Sequence, residues 1–433
     1  MPRYRWITLF VALLLLFLLL ATKFIVRSLA QAQAPVQPSI DMVKADPLYP
    51  EYLDFFEKVY KTMDENYYYP LDREGFKRFI DKFSSKIYPE LKAEGKSNFY
   101  VKWRSAAYLV EDLKAKEDIF SAFYPPEPAA QYEKEVLGKQ IDLGITGEMT
   151  SDGFVVANVE PRADAFEKGL RVGARIVKID QLPVSGLTLE KVNQLLTPLE
   201  NALVHLDFVD ADTKETRAID ALSKEYFKQT VFMLPLSVPD VYCLKIERFN
   251  RMTAEDLTRF MQYILEKGGK GLILDLRGNP GGPPLAAREI SAFFLPPNSD
   301  FAYFQMKDQP KSGLDVPEIP EQFRYHGDLV ILVNKESGSA SELFSGIMQR
   351  RGRAEIMGQN TAGQVFLKSM FHFDDKSMVL LVTARGHHPD GEVFSFDGVT
   401  PDEKMGNEHM GDDLIKYAAT FLAEKAKDIT KTP

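Results

Sequence analysis

The sequence predicts an α/β fold, with a mixed sheet and flanking helices in the C-terminal half, a β-rich module before it and a helical cap near the N-terminus. From Val231 onward, apolar strand-like segments alternate with segments that have helical spacing. The stretch from Leu137 to Leu222 consists mainly of short alternating segments typical of strands, whereas Glu51 to Lys116 has apolar residues at three- and four-residue steps. A chain of 433 residues, 45% of them hydrophobic, is long and apolar enough for two or three folded domains.

The composition argues against several classes of protein. A formal net charge of −9, with no stripe of clustered Lys and Arg, argues against a nucleic-acid partner. Cys243 is the only cysteine, so the chain has neither an intramolecular disulfide nor a cysteine cluster for zinc. It lies in the apolar run VYCLKI. Six scattered histidines have no metal-site spacing, and we therefore expect neither a metal ion nor another cofactor.

The N-terminal residues predict export or membrane attachment. Arg3 and Arg5 precede a mostly apolar run of 16 residues, Trp6 to Ala21, which is short for a membrane span but long enough if it continues to Val26. Leu29 to Ala34 reads LAQAQA and resembles a cleavage site, so a removed signal peptide is the alternative to an uncleaved anchor. We favour the anchor, and in both cases the body of the protein is predicted to lie outside the cytoplasm.

Changes in composition predict the domain boundaries. Residues 1–35 are assigned to the signal anchor and the start of a tether, and residues 36–132 to a linker and the helical cap. The proline-rich YPPEPA, Tyr124 to Ala129, marks the end of the cap. The β-rich domain is assigned to residues 133–225 and the α/β core to residues 226–433.

The β-rich domain resembles a PDZ domain from about Leu137 to Leu222. The resemblance depends on four features in order: the loop Leu143-Gly144-Ile145-Thr146 after a turn at Gly138, a small helix ending at Gly169-Leu170, the strand entry Val172 to Ile176, and the turn Val184 to Gly186. In PDZ domains consecutive backbone N–H groups of such a loop bind the C-terminal carboxylate of a peptide, which joins the sheet as an extra strand. A PDZ-shaped spacer without a ligand is the alternative.

In the core, the stretch from Ser337 to Gly363 places Ser339 in a turn of small residues directly before a predicted helix. Gly338 and Ala340 leave the backbone sterically open, and Leu343, Phe344 and Ile347 follow with helical spacing. The positive end of a helix favours negative charge, so this position suits a nucleophile and its oxyanion. A serine that merely caps the helix is the plainer interpretation.

A second turn completes the pattern. Gly271 to Gly282, GLILDLRGNPGG, reads as a buried strand that opens into a glycine-rich turn, whose N–H groups at Gly281 and Gly282 are candidate oxyanion donors together with Ala340. With VYCLKIERFN, NKESGSASE and VLLVTARGHHPDGEVFSFDGVTPD, this strand makes the chain resemble the C-terminal processing (tail-specific) serine proteases. The resemblance runs from about Leu137 to Asp402 and implies a ClpP/crotonase-like protease core after the PDZ domain.

The resemblance implies that Ser339 is the nucleophile, but one position departs from the family pattern. The family activates its serine with a lysine twenty-five residues later, where this chain has Gln364, and glutamine cannot accept a proton. Four residues further, where the family usually has a glutamine that orients the lysine, this chain has Lys368. We hypothesise that the two residues are exchanged, with Lys368 as base and Gln364 as its orienting amide. A solvated strand lysine beside an inactive hydroxyl is the alternative.

A histidine base is less well supported. Tricorn-like relatives of the family have a histidine in the cap segment where this chain has Phe120, and the first histidine, His205, lies in the PDZ-like domain. His387 and His388 follow a predicted strand and are the remaining candidates.

Two functions are compatible with these residues. The first is a membrane-anchored serine endopeptidase whose PDZ domain recognises accessible C-terminal tails of extracytoplasmic polypeptides. The second is a pseudoprotease that retains peptide binding and serves as an adaptor or scaffold. Aromatic residues on the cap helices are a candidate surface for a homo-oligomer.

Overall fold

The computed structural model describes residues 43–407 and 410–429. The predicted anchor and its apolar run lie outside these residues, and no helix in the described part is long and apolar enough to cross a membrane. The described chain divides into two compact units. The first ends at Glu65 and resumes for Pro70–Glu117, while the second comprises Asn66–Tyr69 and the residues from Asp118 onward.

The first unit is helical and has an aromatic core. Its helices are α1 (Tyr49–Asn66), α2 (Gly75–Lys82), α3 (Tyr88–Ala93) and α4 (Asn98–Leu113), with a π-helical turn at Phe83–Ile87 between α2 and α3. Phe56 and Phe83 are fully buried, and their ring centres lie 4.9 Å apart in an edge-to-face arrangement. Burial of one apolar face of each helix is what the three- and four-residue spacing predicts.

The second unit begins with a short strand and a helix that lead into the PDZ-like domain. These are β1 (Ala122–Tyr124) and α5 (Pro126–Leu137), which ends at Gly138 with a φ of +69°. The domain that follows has these elements: β2 (Lys139–Asp142), β3 (Ile145–Thr150), β4 (Gly153–Val159), α6 (Asp164–Glu167), β5 (Arg175–Ile179), β6 (Leu182–Pro183), α7 (Leu189–Leu196), β7 (Leu203–Val209), β8 (Thr216–Leu222) and β9 (Lys224–Phe227).

In this domain the main sheet is antiparallel and has the order β3-β4-β5-β7-β8, with β6 paired to β5 and with β2 and β9 forming a separate two-stranded ribbon. Alternate apolar side chains fill one core, in which Phe154, Ile176 and Phe208 are fully buried. Arg162 joins the domain to the rest of the unit by donating to the buried carboxylate of Asp256 at 2.8 Å.

The rest of the second unit is built on two further sheets. Its elements are β10 (Val231–Leu234), β11 (Val241–Ile246), α8 (Thr253–Glu266), β12 (Gly271–Asp275), α9 (Pro284–Ser291), β13 (Asp300–Met306), β14 (Ser312–Asp315), a 3-10 turn (Glu321–Phe323), β15 (Asp328–Val333), α10 (Ala340–Arg350), β16 (Glu355–Gly358), β17 (Phe366–His372), β18 (Met378–His387), β19 (Glu403–Lys404) and α11 (Asp412–Ile429).

The first of these sheets is mixed and has the order β10-β11-β12-β15-β16-β19, with only the β10 and β11 pair antiparallel. Both of its faces are covered. Leu272, Leu274 and their neighbours pack with α8, α9 and α10, while Ile273 and Val330 pack on the other face with α11. Because every residue of β12 is buried, it reads as a continuous apolar run, as strands with two covered faces do.

The second sheet is antiparallel and differs in one respect from the sequence prediction. The segment MVLLVTAR belongs to β18, which pairs with β1, β13 and β17, not with the parallel strands. A tight turn at Phe373–Ser377 joins β17 to β18, and a connection this short permits only antiparallel pairing.

Candidate active site

The turn that carries Ser339 follows β15 and is held by its two neighbouring serines. The Ser337 hydroxyl donates to the Leu276 carbonyl at 2.8 Å, and the Ser341 hydroxyl donates to the Asn279 carbonyl at 2.9 Å. Both serines are fully buried, whereas Ser339 is partly exposed. The three serines of SGSAS therefore differ in their surroundings, and of the three only Ser339 lines the cleft that also contains Lys368.

The backbone of Ser339 is strained. Its φ is +52° and its ψ is −110°, and α10 begins at the next residue. The ψ value lies far from the left-handed region, which is near +30 to +60°. Strain of this kind costs on the order of 1–3 kcal/mol and is concentrated at functional sites, as in the strand-to-helix turn that exposes a catalytic serine. The conformation favours the nucleophile interpretation over that of a plain helix cap.

The glycine-rich turn lies directly against Ser339. A Cβ atom on Gly281, whose φ is +97°, would lie 2.8 Å from the Ser339 Cβ and 2.8 Å from the Ala340 nitrogen. Contacts this short leave no room for a side chain unless the two turns move apart. The structure thus brings together the two turns that the sequence separates by almost sixty residues.

The backbone donors of this region are not equivalent. The Gly281 N–H donates to the Asn279 side-chain oxygen at 2.9 Å, and the fully buried Asn279 is itself held by a bond from its amide nitrogen to the Ile246 carbonyl at 2.9 Å. This use of the Gly281 N–H leaves those of Gly282 and Ala340 as the candidate oxyanion donors. Ala340 is the first residue of α10, where N–H groups have no partner within the helix.

A buried carboxylate links the Ser339 turn to the loop before β17. Glu342 is fully buried, and one of its oxygens accepts the N–H groups of Ser339 and Gln364, each at 2.8 Å. Its other oxygen accepts the Thr361 hydroxyl at 2.6 Å and the N–H of Gly363. Burial raises the pKa of Glu342 above its usual value, and the bonds from Thr361, Gln364, Gly363 and Ser339 oppose this effect. We call this set of bonds the Glu342 clamp.

Lys368 lies on β17 immediately after an irregularity in the strand register. The register with β18 shifts between Leu367 and Lys368, and such a bulge changes which face the following side chains take. The Lys368 Nζ lies 4.6 Å from the centre of the Phe120 ring. Burial lowers the pKa of Lys368, and the negative charge of Asp118 acts in the opposite direction.

Ser339 and Lys368 line one cleft of about 420 Å³ together with both glycines of the NPGG turn. The rest of the lining is mostly apolar and includes residues of α5, β17 and β18. Its lining residues include Tyr132, Val136, Leu137, Leu367, Met370 and Leu380. The cleft therefore combines a serine hydroxyl, a desolvated amine and backbone donors beside an apolar wall, an arrangement suited to acyl transfer.

The predicted orienting residue Gln364 and the two candidate histidine bases do not line this cleft. Gln364 is held through its backbone N–H by the Glu342 clamp. His387 pairs with Tyr303 on β13, and His388 stacks on Phe394 with ring centres 3.8 Å apart. Burial lowers the pKa of His388 to about 4. Neither histidine is therefore placed to act on Ser339 in this conformation.

The predicted peptide-binding loop lies at the start of β3. Leu143, Gly144 and Ile145 are buried, and Thr146 is exposed. The Gly144 N–H donates to the carboxylate of Asp142 at 2.6 Å. The donors of this loop are thus partly used within the chain.

Sequence reasoning missed Glu342, Asn279 and Asp118. For Glu342 a signal was present, because a serine followed three residues later by a glutamate is the pattern of a helix capping box. Asn279 and Asp118 act through loop contacts that have no sequence periodicity. Asp118 is buried and accepts the Tyr67 hydroxyl at 2.7 Å.

Comparisons with known proteins agree with this architecture. Residues 240–405 match the family model described as Peptidase family S41, and residues 133–207 match that of the PDZ domain. The carboxy-terminal processing protease CtpA of Bacillus subtilis is 22% identical over 293 residues, which cover 67% of this chain and 62% of the relative. The carboxyl-terminal-processing protease of Synechocystis is 23% identical over 327 residues, covering 68% of this chain and 73% of the relative.

Two solved structures share the fold. The photosystem II D1 C-terminal processing protease has a TM-score of 0.50 at 22% identity and covers 86% of this chain and 97% of its own. The tricorn protease has a TM-score of 0.52 at 16% identity, and the match covers 87% of this chain and 37% of that protein. At these identities the likeness concerns the fold alone.

Proposed function

Because the chain belongs to the C-terminal processing serine proteases of peptidase family S41 and carries a PDZ domain, we propose that it is an endopeptidase with Ser339 as nucleophile and Lys368 as general base. The observation that carries the proposal is the common cleft, which Ser339, Lys368, Gly281 and Gly282 line together. The strained backbone of Ser339 also supports it.

The reaction begins with a neutral Lys368. Its Nζ takes the proton of the Ser339 hydroxyl as the oxygen attacks the carbonyl carbon of the scissile peptide bond. This transfer needs the two atoms within about 3 Å of each other. The negative charge that develops on the carbonyl oxygen is stabilised by the N–H groups of Ala340 and Gly282 at the positive end of α10.

The proton then moves to the leaving group. Collapse of the tetrahedral intermediate breaks the carbon–nitrogen bond, and the Lys368 ammonium gives its proton to the departing amine. A water molecule next attacks the acyl group on Ser339, with Lys368 taking a proton from the water and returning one to the serine oxygen. Atoms and charge balance without a metal ion or cofactor.

Gln364 has a supporting role in this proposal. The Glu342 clamp holds its backbone beside that of Ser339, which keeps its amide near the entrance to β17. The amide orients Lys368, so the roles of the two residues are exchanged relative to the family pattern. Gly281 has no side chain and so leaves room for Ser339 beside it. Its N–H already donates to Asn279, so Gly281 is not an oxyanion donor in this proposal.

The remaining parts of the proposal concern substrate and location. The PDZ domain, through the loop Leu143-Gly144-Ile145-Thr146, engages tail segments of polypeptide substrates. The N-terminal segment anchors the enzyme in a membrane, with its body outside the cytoplasm. Exposed Phe99 and Tyr100 on α4 support a homo-oligomer formed through the helical unit.

A second candidate function has one observation in its favour. The position where the family has its lysine base holds Gln364, and a protein without a competent base would bind peptides without cleaving them. Such a pseudoprotease would act as an adaptor or scaffold for its polypeptide partners.

Cleavage of internally quenched peptides distinguishes the two functions. We expect turnover by the wild type, and its loss in both Ser339→Ala and Lys368→Ala, with Lys335→Ala as an exposed-lysine control. The double variant Gln364→Lys with Lys368→Gln restores the family order and should retain activity if either arrangement supplies the base. Turnover that survives Lys368→Ala would exclude Lys368 as base. Peptide binding without turnover by the wild type would establish the adaptor.

A further inference from the structure

We propose that Arg248 binds a carboxylate of the polypeptide in the active-site cleft, so that the cleft selects segments that carry a negative charge. Two sources supply such a group, an acidic side chain and the free C-terminus of a tail, and a guanidinium binds either. The proposal rests on the proposed function in taking the cleft as the place where a polypeptide binds. It depends on the free donors of Arg248, on its unpaired charge and on its position beside the glycine-rich turn.

The guanidinium of Arg248 has donors left for a ligand. Its Nη1 donates to the main-chain carbonyl of Glu135, near the end of α5, at 2.6 Å. Its Nε and Nη2 have no hydrogen-bond partner among the described residues, and neither atom is buried. Two nitrogens of a guanidinium match the two oxygens of a carboxylate and bind them by parallel hydrogen bonds.

The charge of Arg248 also has no partner of opposite sign. Among the described residues, no carboxylate oxygen lies within 4 Å of its guanidinium. Glu135 lines the cleft as well, but its exposed carboxylate accepts the side-chain amide of Gln131 at 3.2 Å. Arg248 is half-buried beside a mostly apolar lining, so a carboxylate binds it more strongly than it would bind an arginine in open solvent.

The contact with α5 does not by itself account for Arg248. The helix ends at Gly138, whose N–H donates to the Glu135 carbonyl at 3.2 Å, so this carbonyl has a backbone partner without the arginine. The bond from Arg248 instead fixes the guanidinium in the lining of the cleft. A side chain that is already held in place loses less conformational entropy when it binds a ligand.

Arg248 lies close to the groups that are proposed to react. The N–H of the next residue, Phe249, donates to the Gly281 carbonyl at 3.0 Å, and a Cβ on Gly282 would lie 1.9 Å from the Phe249 carbonyl oxygen. Arg248 and Gly282 line the same cleft as Ser339. A carboxylate bound by Arg248 therefore belongs to a residue within a few positions of the scissile bond.

The test measures peptide binding to the full-length chain in detergent, with Ser339→Ala to prevent cleavage. Decapeptides rich in alanine and leucine, blocked at both ends, carry glutamine or glutamate at one position, and each glutamine form is also made with a free C-terminal carboxylate. We expect about tenfold tighter binding of the glutamate form at one or two positions, of the free-acid form, or of both. A preference for glutamate identifies a side chain as the source of the carboxylate, and a preference for the free acid identifies a chain end.

Variants of Arg248 test whether its charge causes the preference. Arg248→Gln should abolish the preference, and Arg248→Lys should weaken it, because lysine keeps the charge but cannot bind a carboxylate through two nitrogens of one group. Arg251→Gln is the matched control, since Arg251 is exposed in the same loop and lies on the Phe227 ring, outside the lining of the cleft. Melting curves show whether each variant folds, and Arg248→Lys carries the test if Arg248→Gln does not.

Equal binding of all peptide forms, no binding of any form, or a preference that survives Arg248→Gln would overturn the proposal. Hydrolysis of quenched peptides is measured separately on the chain with Ser339 intact. A preference that depends on Arg248 without any turnover would contradict the peptidase proposal and support the role of Arg248. Turnover without such a preference would contradict the role of Arg248 and leave the peptidase proposal in place.

Discussion

The Glu342 clamp gives the sharpest prediction for the active site. Glu342→Gln keeps the shape of the side chain but replaces one of its two acceptor oxygens with an NH₂ group. The carboxylate accepts two hydrogen bonds on each oxygen, so two of the four buried or partly buried donors lose their acceptor. An unsatisfied buried donor costs about 1–3 kcal/mol, which gives a loss of about 2–6 kcal/mol in the free energy of unfolding. A whole domain is stable by only about 5–15 kcal/mol.

The same substitution should reduce catalysis more than binding. Glu342 holds the N–H of Ser339, and displacement of a nucleophile by about 1 Å costs on the order of a hundredfold in rate. We expect kcat to fall by about that factor, with KM little changed because the apolar wall of the cleft is untouched. Steady-state cleavage of a quenched peptide and a thermal melt measure the two effects.

A matched control separates the clamp from a general effect of the charge change. Glu336 lies in the same loop three residues before Ser339, and it is exposed. Glu336→Gln should therefore change neither the melting temperature nor kcat. A Glu342→Gln variant that melted with the wild type and kept its kcat within twofold would show that the clamp neither stabilises the turn nor positions Ser339.

Three further predictions follow from other contacts. Gly281→Ala should lower kcat at least tenfold because the new Cβ would meet Ser339. Gly268 also has a positive φ but has no atom within 4 Å of the position of a Cβ, so Gly268→Ala should affect only stability. Peptide cleavage and melting curves check both variants. Burial lowers the pKa of Lys368 in the folded chain. At pH values between that lowered pKa and the usual value near 10.4, the unfolded chain therefore binds more protons than the folded chain. The free energy of unfolding consequently rises with pH across this range. Lys368→Met should remove that slope and raise the melting temperature at neutral pH, unlike Lys335→Met, as melts across a pH series would reveal. Arg162→Ala should lower the free energy of unfolding by about 1–3 kcal/mol, because the fully buried carboxylate of Asp256 on α8 then keeps only the cation of Arg259. Protease digestion near the PDZ boundary should become faster.

The sequence was sufficient to find the elements that build the site, because strands and turns leave local signals. The apolar run before NPGG and the small residues around Ser339 both occur at strand ends, and the ends of parallel strands meet at one edge of a sheet. The register of β12 with β15 then brings Gly281 against Ser339. The separate sheet of β18 was not foreseen, because its apolar pattern is the same whether its neighbours are parallel or antiparallel.

The finer features depend on contacts between distant residues. The use of the Gly281 N–H by Asn279 needs the buried position of that side chain, which no spacing predicts. The strained ψ of Ser339 is likewise imposed by the surrounding bonds, because an isolated serine would relax to an ordinary conformation. Similarly, the bulge before Lys368 is a property of the pairing of β17 with β18.

The proposed exchange of lysine and glutamine can serve the same chemistry because the protonation state of the amine depends on its surroundings more than on its position in the chain. The Phe120 ring and the charge of Asp118 both favour the ammonium form of Lys368, whereas burial favours the neutral amine. The pKa of Lys368 is lowered, so burial outweighs the effect of the charge of Asp118. A peptide in the cleft excludes more water from the amine and adds to the effect of burial. In the proposed mechanism, substrate binding thus shifts Lys368 further toward the neutral form, and the proposed base becomes most competent when the scissile bond is in place beside Ser339.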